Sequence, residues 1–342
     1  MGDGKGNCDR SRNDGKERKG INERRRVPHS ILCPIKRVRL FLERMTGKMR
    51  IGVDIGGTNT KIGLVQDGKI LRRRTIPTRQ DPEQAIGELA NALKEISLGI
   101  EIELIGIGCC GLIDHKEGIV RTPPNLPKWH NLKLKERLEK ILNLKVFVGN
   151  DVNACALGEY LYGLGKGKRN LFVLTIGTGV GGGIIADGRL ILGANHSAGE
   201  FGHTIIFPEG RRCRCGNRGC LEAYIGQENI RRMAKRIIGK DLTPKEVAIR
   251  AKEGEKKAIA VIERVGYYLG LGLVNVCHLL DPEIIIIGGG ISGMGRRLLK
   301  KTEETIKERI MPLPKRRLEI RLSQLGPSAG ILGATKFPEF AI

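Results

Sequence analysis

The sequence predicts an α/β protein with two similar domains around a cleft. The chain has 342 residues, which is enough for two domains of ordinary size. Its opening β-rich pattern also recurs in the second half, where LTIG at residues 174–177 aligns with VDIG at residues 53–56. Both copies run strand, glycine turn, strand, Asp-Gly pair, strand. The two glycine turns could therefore face one cleft.

The first copy starts at Met49. Its elements are predicted from the periodicity of apolar residues, and the Asp-Gly pair at residues 67–68 is typical of a tight hairpin. The predicted strands are residues 50–55, 61–66, 69–75, 104–110 and 145–149. The predicted helices are residues 82–98 and 154–161.

The second copy repeats this order with an Asp-Gly pair at residues 187–188. The predicted strands are residues 171–175, 182–186, 189–192 and 283–287, and the predicted helices are residues 227–238, 244–251 and 256–279. The last strand ends in three glycines before a basic helix, and such a unit can present backbone N–H groups to a ligand.

Domain boundaries are predicted from these copies. We expect a small N-terminal α/β domain over residues 49–152, joined by a C-terminal helix at about residues 328–342. A large α/β domain is expected over residues 153–327, including a cysteine-containing loop at residues 203–220.

The net charge is +23, of which residues 1–48 carry 14 Lys and Arg against 6 Asp and Glu. We interpret residues 1–48 as a disordered basic extension, or as sequence translated from a misplaced start. A nucleic-acid-binding arm is the alternative, but a helix-turn-helix needs two helices and only residues 35–45 could form one. The remaining excess charge is interpreted as a solvated face, so nucleic acid is not the expected partner.

Nine cysteines do not form the spacing of a secreted disulfide framework. Cys109, Cys110, Cys155 and Cys277 lie in apolar segments and are predicted to be buried thiols. No apolar run reaches the length of a membrane span, since the best candidate, residues 171–186, is interrupted by glycines and threonines. A cytoplasmic protein without a membrane partner is expected.

The two glycine turns are candidate phosphate-binding sites, because glycine lets backbone N–H groups approach an anion closely. In the first turn Thr58 and Asn59 add polar groups and Lys61 adds a charge, while Asp54 suits a position beside Mg²⁺. The second turn has five glycines in residues 177–183. Ordinary glycine hairpins are the alternative, but two such turns at duplicated positions favour one polyphosphate held from both sides.

An acidic residue, Asp151, comes after the apolar strand that ends at Gly149. Locally, the stronger interpretation is a helix N-cap, for which Asp and Asn are favoured. The functional interpretation is a base that accepts the proton of an attacking hydroxyl group.

His203, Cys213, Cys215 and Cys220 supply the ligands of a tetrahedral zinc site. With four protein ligands and no open position, the metal would be structural, and it would fix Glu200 and Glu222 beside it. A set of free thiols in a surface loop is the alternative.

At these residues the chain resembles the ROK family, which includes bacterial glucokinases, other hexose kinases and sugar-responsive repressors. The resemblance covers Met49 to the C-terminus and is most specific at residues 192–203, LGANHSAGEFGH, which lead into the cysteine cluster. It implies an actin-like (ribonuclease H-like) ATPase fold, a cleft that binds ATP with Mg²⁺ and a hexose, structural zinc, and a homodimer or homotetramer.

The resemblance also assigns roles to residues. Asp151 is implied as both the catalytic base and a sugar contact, and His203 as both a zinc ligand and a sugar ligand. The other implied sugar contacts are Asn125, Asn150, Glu200 and Glu222. The implied ATP contacts are Gly56, Gly57, Thr58, Asn59, Lys61, Gly177, Thr178, Gly179, Gly288, Gly289 and Gly290.

The expected reaction is therefore ATP-dependent phosphorylation of a hexose at its 6-hydroxyl, with glucose the first choice. N-acetylglucosamine, N-acetylmannosamine and fructose are alternative acceptors. A sugar-responsive regulator is the alternative of another class, although residues 1–48 are shorter than the winged helix-turn-helix of the family's repressors.

Overall fold

The computed structural model describes residues 47–314 and 316–340. The predicted disordered extension, apart from its last two residues, lies outside this range. The same holds for the helix considered at residues 35–45.

The first half of the described chain is built on a five-stranded sheet. Its elements are β1 (Arg50–Ile55), β2 (Asn59–Gln66), β3 (Lys69–Pro77), α1 (Pro82–Ile96), β4 (Leu104–Cys109), β5 (Leu112–Asp114), β6 (Ile119–Thr122), β7 (Leu132–Lys133), α2 (Leu134–Leu142), β8 (Val146–Asn150) and α3 (Asp151–Tyr162). The strand order is β3-β2-β1-β4-β8. The first three strands form an antiparallel meander, and β4 and β8 continue the sheet in parallel.

The second half repeats this sheet. Its elements are β9 (Leu171–Ile176), β10 (Val180–Ala186), β11 (Arg189–Leu190), α4 (Glu222–Ile225), α5 (Gln227–Ile238), α6 (Pro244–Lys252), α7 (Lys256–Leu280), β12 (Ile284–Gly288), α8 (Gly295–Arg309), β13 (Glu319–Leu322), α9 (Ser328–Ala334) and α10 (Phe337–Phe340). The order β11-β10-β9-β12-β13, an antiparallel meander and then two parallel strands, matches the first sheet position by position. The duplication predicted from the sequence is therefore confirmed.

The two Asp-Gly pairs form the expected tight hairpins. Asp67 and Gly68 have φ of 47° and 73°, and Asp187 and Gly188 have φ of 50° and 77°. Two consecutive residues with positive φ match the right-handed twist of the strands they join, which is why Asp-Gly is favoured there.

Helices α3 and α9 pack against each other and against the sheets through positions that lack a side chain. A Cβ on Gly158 of α3 would lie 2.1 Å from the Ala329 carbonyl oxygen of α9. A Cβ on Gly52 of β1 would lie 1.9 Å from the Ile331 carbonyl oxygen. Helix α3 also packs on β10, where a Cβ on Gly183 would lie 2.7 Å from the Ala156 Cβ. The start of α3 is thus held rigidly at the cleft.

Some elements were not predicted. The three-stranded sheet β5-β6-β7 and helix α2 lie in residues 112–142, where short strands alternate with turn residues. The C-terminal helix expected at about residues 328–342 is two short helices, α9 and α10, and residues 341 and 342 lie outside the described range. The division into domains at residues 152 and 153 stays a prediction.

One described helix is long and apolar enough to span a membrane by length and composition alone. Helix α7 has 25 residues and a mean hydropathy of 1.3 in its most apolar window. Its buried residues belong to the core of the second half, together with residues of α5, α6 and α8. A core helix passes the same test. The apolar segment considered from the sequence, residues 171–186, forms β9 and β10 instead.

Candidate active site

Two cavities meet beside the start of α3. The first has a volume of about 250 Å³ and the second about 450 Å³. Both are lined by Gly56 and Gly177 of the two glycine turns, by Thr175, and by Asp151. Asp151 is therefore the acidic residue shared by the two cavities.

The structure brings the predicted sugar contacts together. The first cavity is lined by all six of them: Asn125, Asn150, Asp151, Glu200, His203 and Glu222. The second cavity is lined by Lys61 and by the predicted nucleotide contacts Gly288, Gly289 and Gly290. Gly57, Thr178 and Gly179 lie on the first cavity, whereas Thr58 and Asn59 are exposed and line neither.

Asn150, and not Asp151, caps helix α3. The Asn150 Oδ1 accepts hydrogen bonds from the backbone N–H groups of Val152 and Asn153, at 2.8 and 3.1 Å. Its Nδ2 donates to the Gly111 carbonyl oxygen at 3.1 Å, which leaves one amide hydrogen for a ligand. Asp151 is the first residue of the helix, so its carboxylate is free of the capping role that the local sequence had favoured.

The carboxyl group of Asp151 is poised to titrate near neutral pH. Burial, with repulsion from Asp54, raises its pKa to about 7, although a hydrogen bond from the Val152 N–H acts in the opposite direction. One oxygen, Oδ1, accepts that bond at 3.0 Å. A half-buried carboxyl group with such a pKa can accept a proton from a hydroxyl group.

Asp54 and Lys61 form an ion pair on neighbouring strands of the first sheet. The Lys61 Nζ lies 2.8 Å from the Asp54 Oδ2, and both residues line the second cavity. Asp54 and Asp151 both line the second cavity, so two carboxyl groups lie at one cavity, a donor set that suits a divalent cation.

The glycine turns pack against predicted sugar contacts. A Cβ on Gly57 would lie 2.9 Å from the Asn125 Cβ, and one on Gly179 would lie 2.8 Å from the Glu222 Oε2. That same carboxylate oxygen accepts a hydrogen bond from the Val180 N–H at 2.9 Å. The turns thus position side chains of the first cavity.

The side chains of His203, Cys213, Cys215 and Cys220 converge, with all four ligand atoms within 4.8 Å of one another. The sulfur atoms of Cys215 and Cys220 are 3.7 Å apart, too far for a disulfide. Zn–S bonds of about 2.3 Å in a tetrahedron place sulfur atoms about 3.8 Å apart, so the separation fits zinc. The His203 Nδ1 lies 3.8 Å from the Cys213 sulfur, while its Nε2 faces Glu200 at 3.9 Å.

The sequence analysis missed three polar residues of the first cavity: Asn153, Thr175 and His196. His196 has a φ of 55°, and its Nδ1 accepts a hydrogen bond from the His115 N–H at 3.3 Å. That contact joins residues 81 positions apart. Thr175 had a sequence signal, because it aligns with Asp54 in the duplication, and His196 lies within the family-specific segment at residues 192–203.

Comparisons with known proteins agree with this geometry. A model of the ROK family matches residues 50–338. A glucokinase from Thermotoga maritima is 39% identical over 301 residues, which cover 83% of this chain and 95% of that protein. A xylose repressor from Caldicellulosiruptor bescii is 34% identical over 258 residues, covering 69% of this chain and 64% of that protein.

A solved structure extends the similarity to the fold. The crystal structure of a ROK family glucokinase from Streptomyces griseus, in complex with glucose and AMPPNP, superposes with a TM-score of 0.77 at 32% identity. The alignment covers 84% of this chain and 98% of that one. The predicted actin-like fold is therefore confirmed.

Proposed function

The chain belongs to the ROK family, and on that premise we propose that it transfers a phosphoryl group from ATP to the 6-hydroxyl of a hexose. The position of Asp151 on both cavities carries the proposal. An acceptor in the first cavity and a donor in the second would meet beside this carboxylate.

In the proposed reaction the hexose occupies the first cavity. Asn125, Glu200, His203 and Glu222 bind its hydroxyl groups, and Asn150 contributes its remaining amide hydrogen. The ionised Asp151 accepts the proton of the 6-hydroxyl as that oxygen attacks the terminal phosphorus of ATP, and the bond from this phosphorus to the bridging oxygen breaks, which releases ADP. A positioned base of this kind contributes about 10²–10⁴-fold to the rate.

The nucleotide occupies the second cavity in this proposal. Backbone N–H groups of the turns around Gly56 and Gly177 bind the phosphates, and Lys61 adds positive charge. Asp54 suits a position beside Mg²⁺, which would neutralise charge on the transferring group. Gly288, Gly289 and Gly290 lie where the adenosine would bind.

The cysteine cluster would hold zinc through His203, Cys213, Cys215 and Cys220. Such a closed site supplies structural bracing and no open position for a substrate. Glu200 lies three residues before one ligand and Glu222 two residues after another, so the braced loop would fix both carboxylates. His203 would face the sugar with Nε2, because Nδ1 faces the cluster.

Glucose is the proposed acceptor because the relative that is 39% identical is named a glucokinase, and the superposed glucokinase is in complex with glucose. Kinases for N-acetylglucosamine, N-acetylmannosamine or fructose remain the alternatives, since a few hydrogen bonds decide such specificity. A cytoplasmic location and a homodimeric or homotetrameric state belong to the same proposal.

The direct test is a panel of hexoses in a coupled assay that detects ADP. We expect the highest kcat/KM with glucose and release of glucose 6-phosphate. Turnover confined to another hexose would reject glucose, and turnover of none would reject the kinase.

Asp151→Asn sharpens this test. We expect kcat to fall by about 10²–10⁴-fold while glucose binding stays measurable by calorimetry. Full activity of D151N would overturn the assignment.

The same variant should be more stable than the wild type at neutral pH. Because the folded-state pKa of Asp151 is raised to about 7, the folded protein binds more protons than the unfolded chain between about pH 4 and pH 7. Wild-type stability therefore falls as the pH rises through that window. We expect the Tm of D151N to exceed that of the wild type by more at pH 8 than at pH 5.

A sugar-responsive regulator is the second candidate, because the xylose repressor is 34% identical to this chain. The shared position of Asp151 and the two glycine turns favours the kinase, since a sensor needs neither. Removal of residues 1–48 distinguishes the two. A kinase should keep its kcat/KM, whereas a regulator should lose salt-dependent DNA binding in a gel-shift assay.

A further inference from the structure

Asn153 is a buried polar residue of the first cavity that the proposed mechanism does not use. It lies on α3 two residues after Asp151, and only 3% of its surface is exposed. Nevertheless the residue belongs to the lining of that cavity.

The backbone around Asn153 is fixed from two sides. Its N–H group donates to the Asn150 Oδ1 at 3.1 Å, which closes the first turn of α3. The neighbouring Val152 packs on the second sheet so closely that a Cβ on Gly181 would lie 2.7 Å from the Val152 Cγ2. The helix therefore cannot rotate freely, and the Asn153 backbone keeps a constant position relative to the second sheet.

The Asn153 amide has an unused acceptor. Its Oδ1 is buried and has no hydrogen-bond partner among residues 47–314 and 316–340. Buried side-chain oxygens are rarely left in this state, because the loss of hydration is then uncompensated. A hydroxyl group brought in by the substrate is the partner that this position suits.

We propose that Asn153 binds a ring hydroxyl group of the acceptor sugar and so helps to determine which sugar is accepted. This inference rests on the proposed kinase function. An amide can accept a hydrogen bond and donate one, whereas ionised Glu200 and Glu222 can only accept. A site built to bond a hydroxyl group discriminates strongly against an analogue that lacks it.

The test is a comparison of Asn153→Leu with the wild type. Leucine has a similar volume and removes the amide. For each protein, kcat/KM is measured with glucose and with the analogues that lack the hydroxyl group at C1, C2, C3 or C4. For the wild type, we expect kcat/KM to be about tenfold or more lower with at least one analogue than with glucose. For N153L, we expect kcat/KM with that analogue and with glucose to be similar, mainly because KM for glucose rises.

The matched control is Thr302→Val, which removes a buried hydroxyl group from α8. Thr302 is fully buried, and its Oγ1 donates to the Leu298 carbonyl oxygen at 2.8 Å. T302V should have the wild-type pattern of analogue discrimination. If Asn153 were merely structural, N153L would have a lower Tm and the same pattern as the wild type, and the inference would be wrong. If N153L lacks the wild-type melting transition, N153A replaces it in the same comparison.

Failure of the kinase proposal would be visible separately, as no turnover of any hexose by the wild type. The comparison is then made by calorimetric titration of glucose and the four analogues. If the wild type binds the analogues with unequal losses of affinity relative to glucose and N153L does not, the role of Asn153 is supported. If both proteins show the same losses of affinity, the role is overturned.

Discussion

The two halves of the described chain have the same strand order and use it for different chemistry. In the first sheet, Asp54 of β1 faces Lys61 of β2, and the pair lines the second cavity. At the matching place in the second sheet, Thr175 of β9 faces Gly181 of β10. The first sheet therefore supplies charged side chains to the second cavity. In the second sheet, the glycine at the matching position allows α3 to pack closely.

The halves also differ in the segment that connects the meander to the parallel strands. In the first half, α1 alone connects β3 to β4. In the second, residues 191–283 connect β11 to β12 and contain the cysteine cluster, Glu200, Glu222 and four helices. The insertion in the second copy thus carries three of the proposed sugar contacts, Glu200, His203 and Glu222, while both copies keep a glycine turn at the cleft.

Among the changes that test the difference between the two halves, the largest effect is expected from breaking the proposed zinc site of the insertion. Cys215→Ser should remove zinc and raise KM for glucose by at least about tenfold, because the loop that carries Glu200 and Glu222 loses its brace. KM for ATP should change less, since the glycine turns lie outside the insertion. Elemental analysis and steady-state kinetics measure both effects.

The control is Cys277→Ala, which removes a buried thiol of α7 that lies outside the cluster. C277A should keep its zinc and its KM. An active C215S protein without zinc would contradict the structural role of the metal.

A smaller effect, on the pH dependence of kcat/KM, is expected from removing the charge of Asp54 in the first half. Asp151 must be ionised to act as a base, so kcat/KM for glucose should fall as the pH drops through about 7. Asp54 raises that pKa by repulsion, and Asp54→Asn should therefore move this acid limb to lower pH. Asp241→Asn, which changes an exposed carboxylate paired with Arg231, should leave the profile unchanged. An acid limb at the same pH in D54N and the wild type would refute the coupling.

Much of this difference between the halves was predictable, because it depends on local signals. The Asp-Gly hairpins and glycine turns are short patterns whose meaning does not depend on distant residues, and their repetition predicted two related sheets. The four predicted zinc ligands are close in sequence, and the structure places their ligand atoms together. Each of these features is encoded within a segment of at most 18 residues.

The rest depends on packing between distant segments. Local sequence favoured Asp151 as the cap of α3, whereas the cap is Asn150, because both residue types are favoured caps and the start of the helix depends on packing. Asn153 lies just before the helix predicted at residues 154–161, and nothing in the local sequence indicated that it would line a cavity. His196 is part of the cavity through a contact with the His115 backbone. No periodicity signals such a contact.

The smallest effects should come from single methyl groups added to the glycines of the second half. At Gly177 a Cβ would meet nothing within 4 Å and would project from the turn that lines both cavities. Gly177→Ala should therefore keep the wild-type Tm and raise KM for ATP several-fold, since the methyl group would hold the phosphates away from the backbone. An unchanged KM would argue against phosphate binding at this turn.

Gly183→Ala is the matched opposite. Its Cβ would lie 2.7 Å from the Ala156 Cβ and 2.9 Å from the Val152 carbonyl oxygen, so α3 would have to move away from β10. Overpacking of this kind costs about 1–3 kcal/mol. G183A should therefore lower the Tm by several degrees in thermal denaturation, where G177A does not. Equal melting temperatures for G177A and G183A would mean that close packing of α3 on β10 does not require glycine at residue 183. The insertion would then be the remaining difference between the two copies.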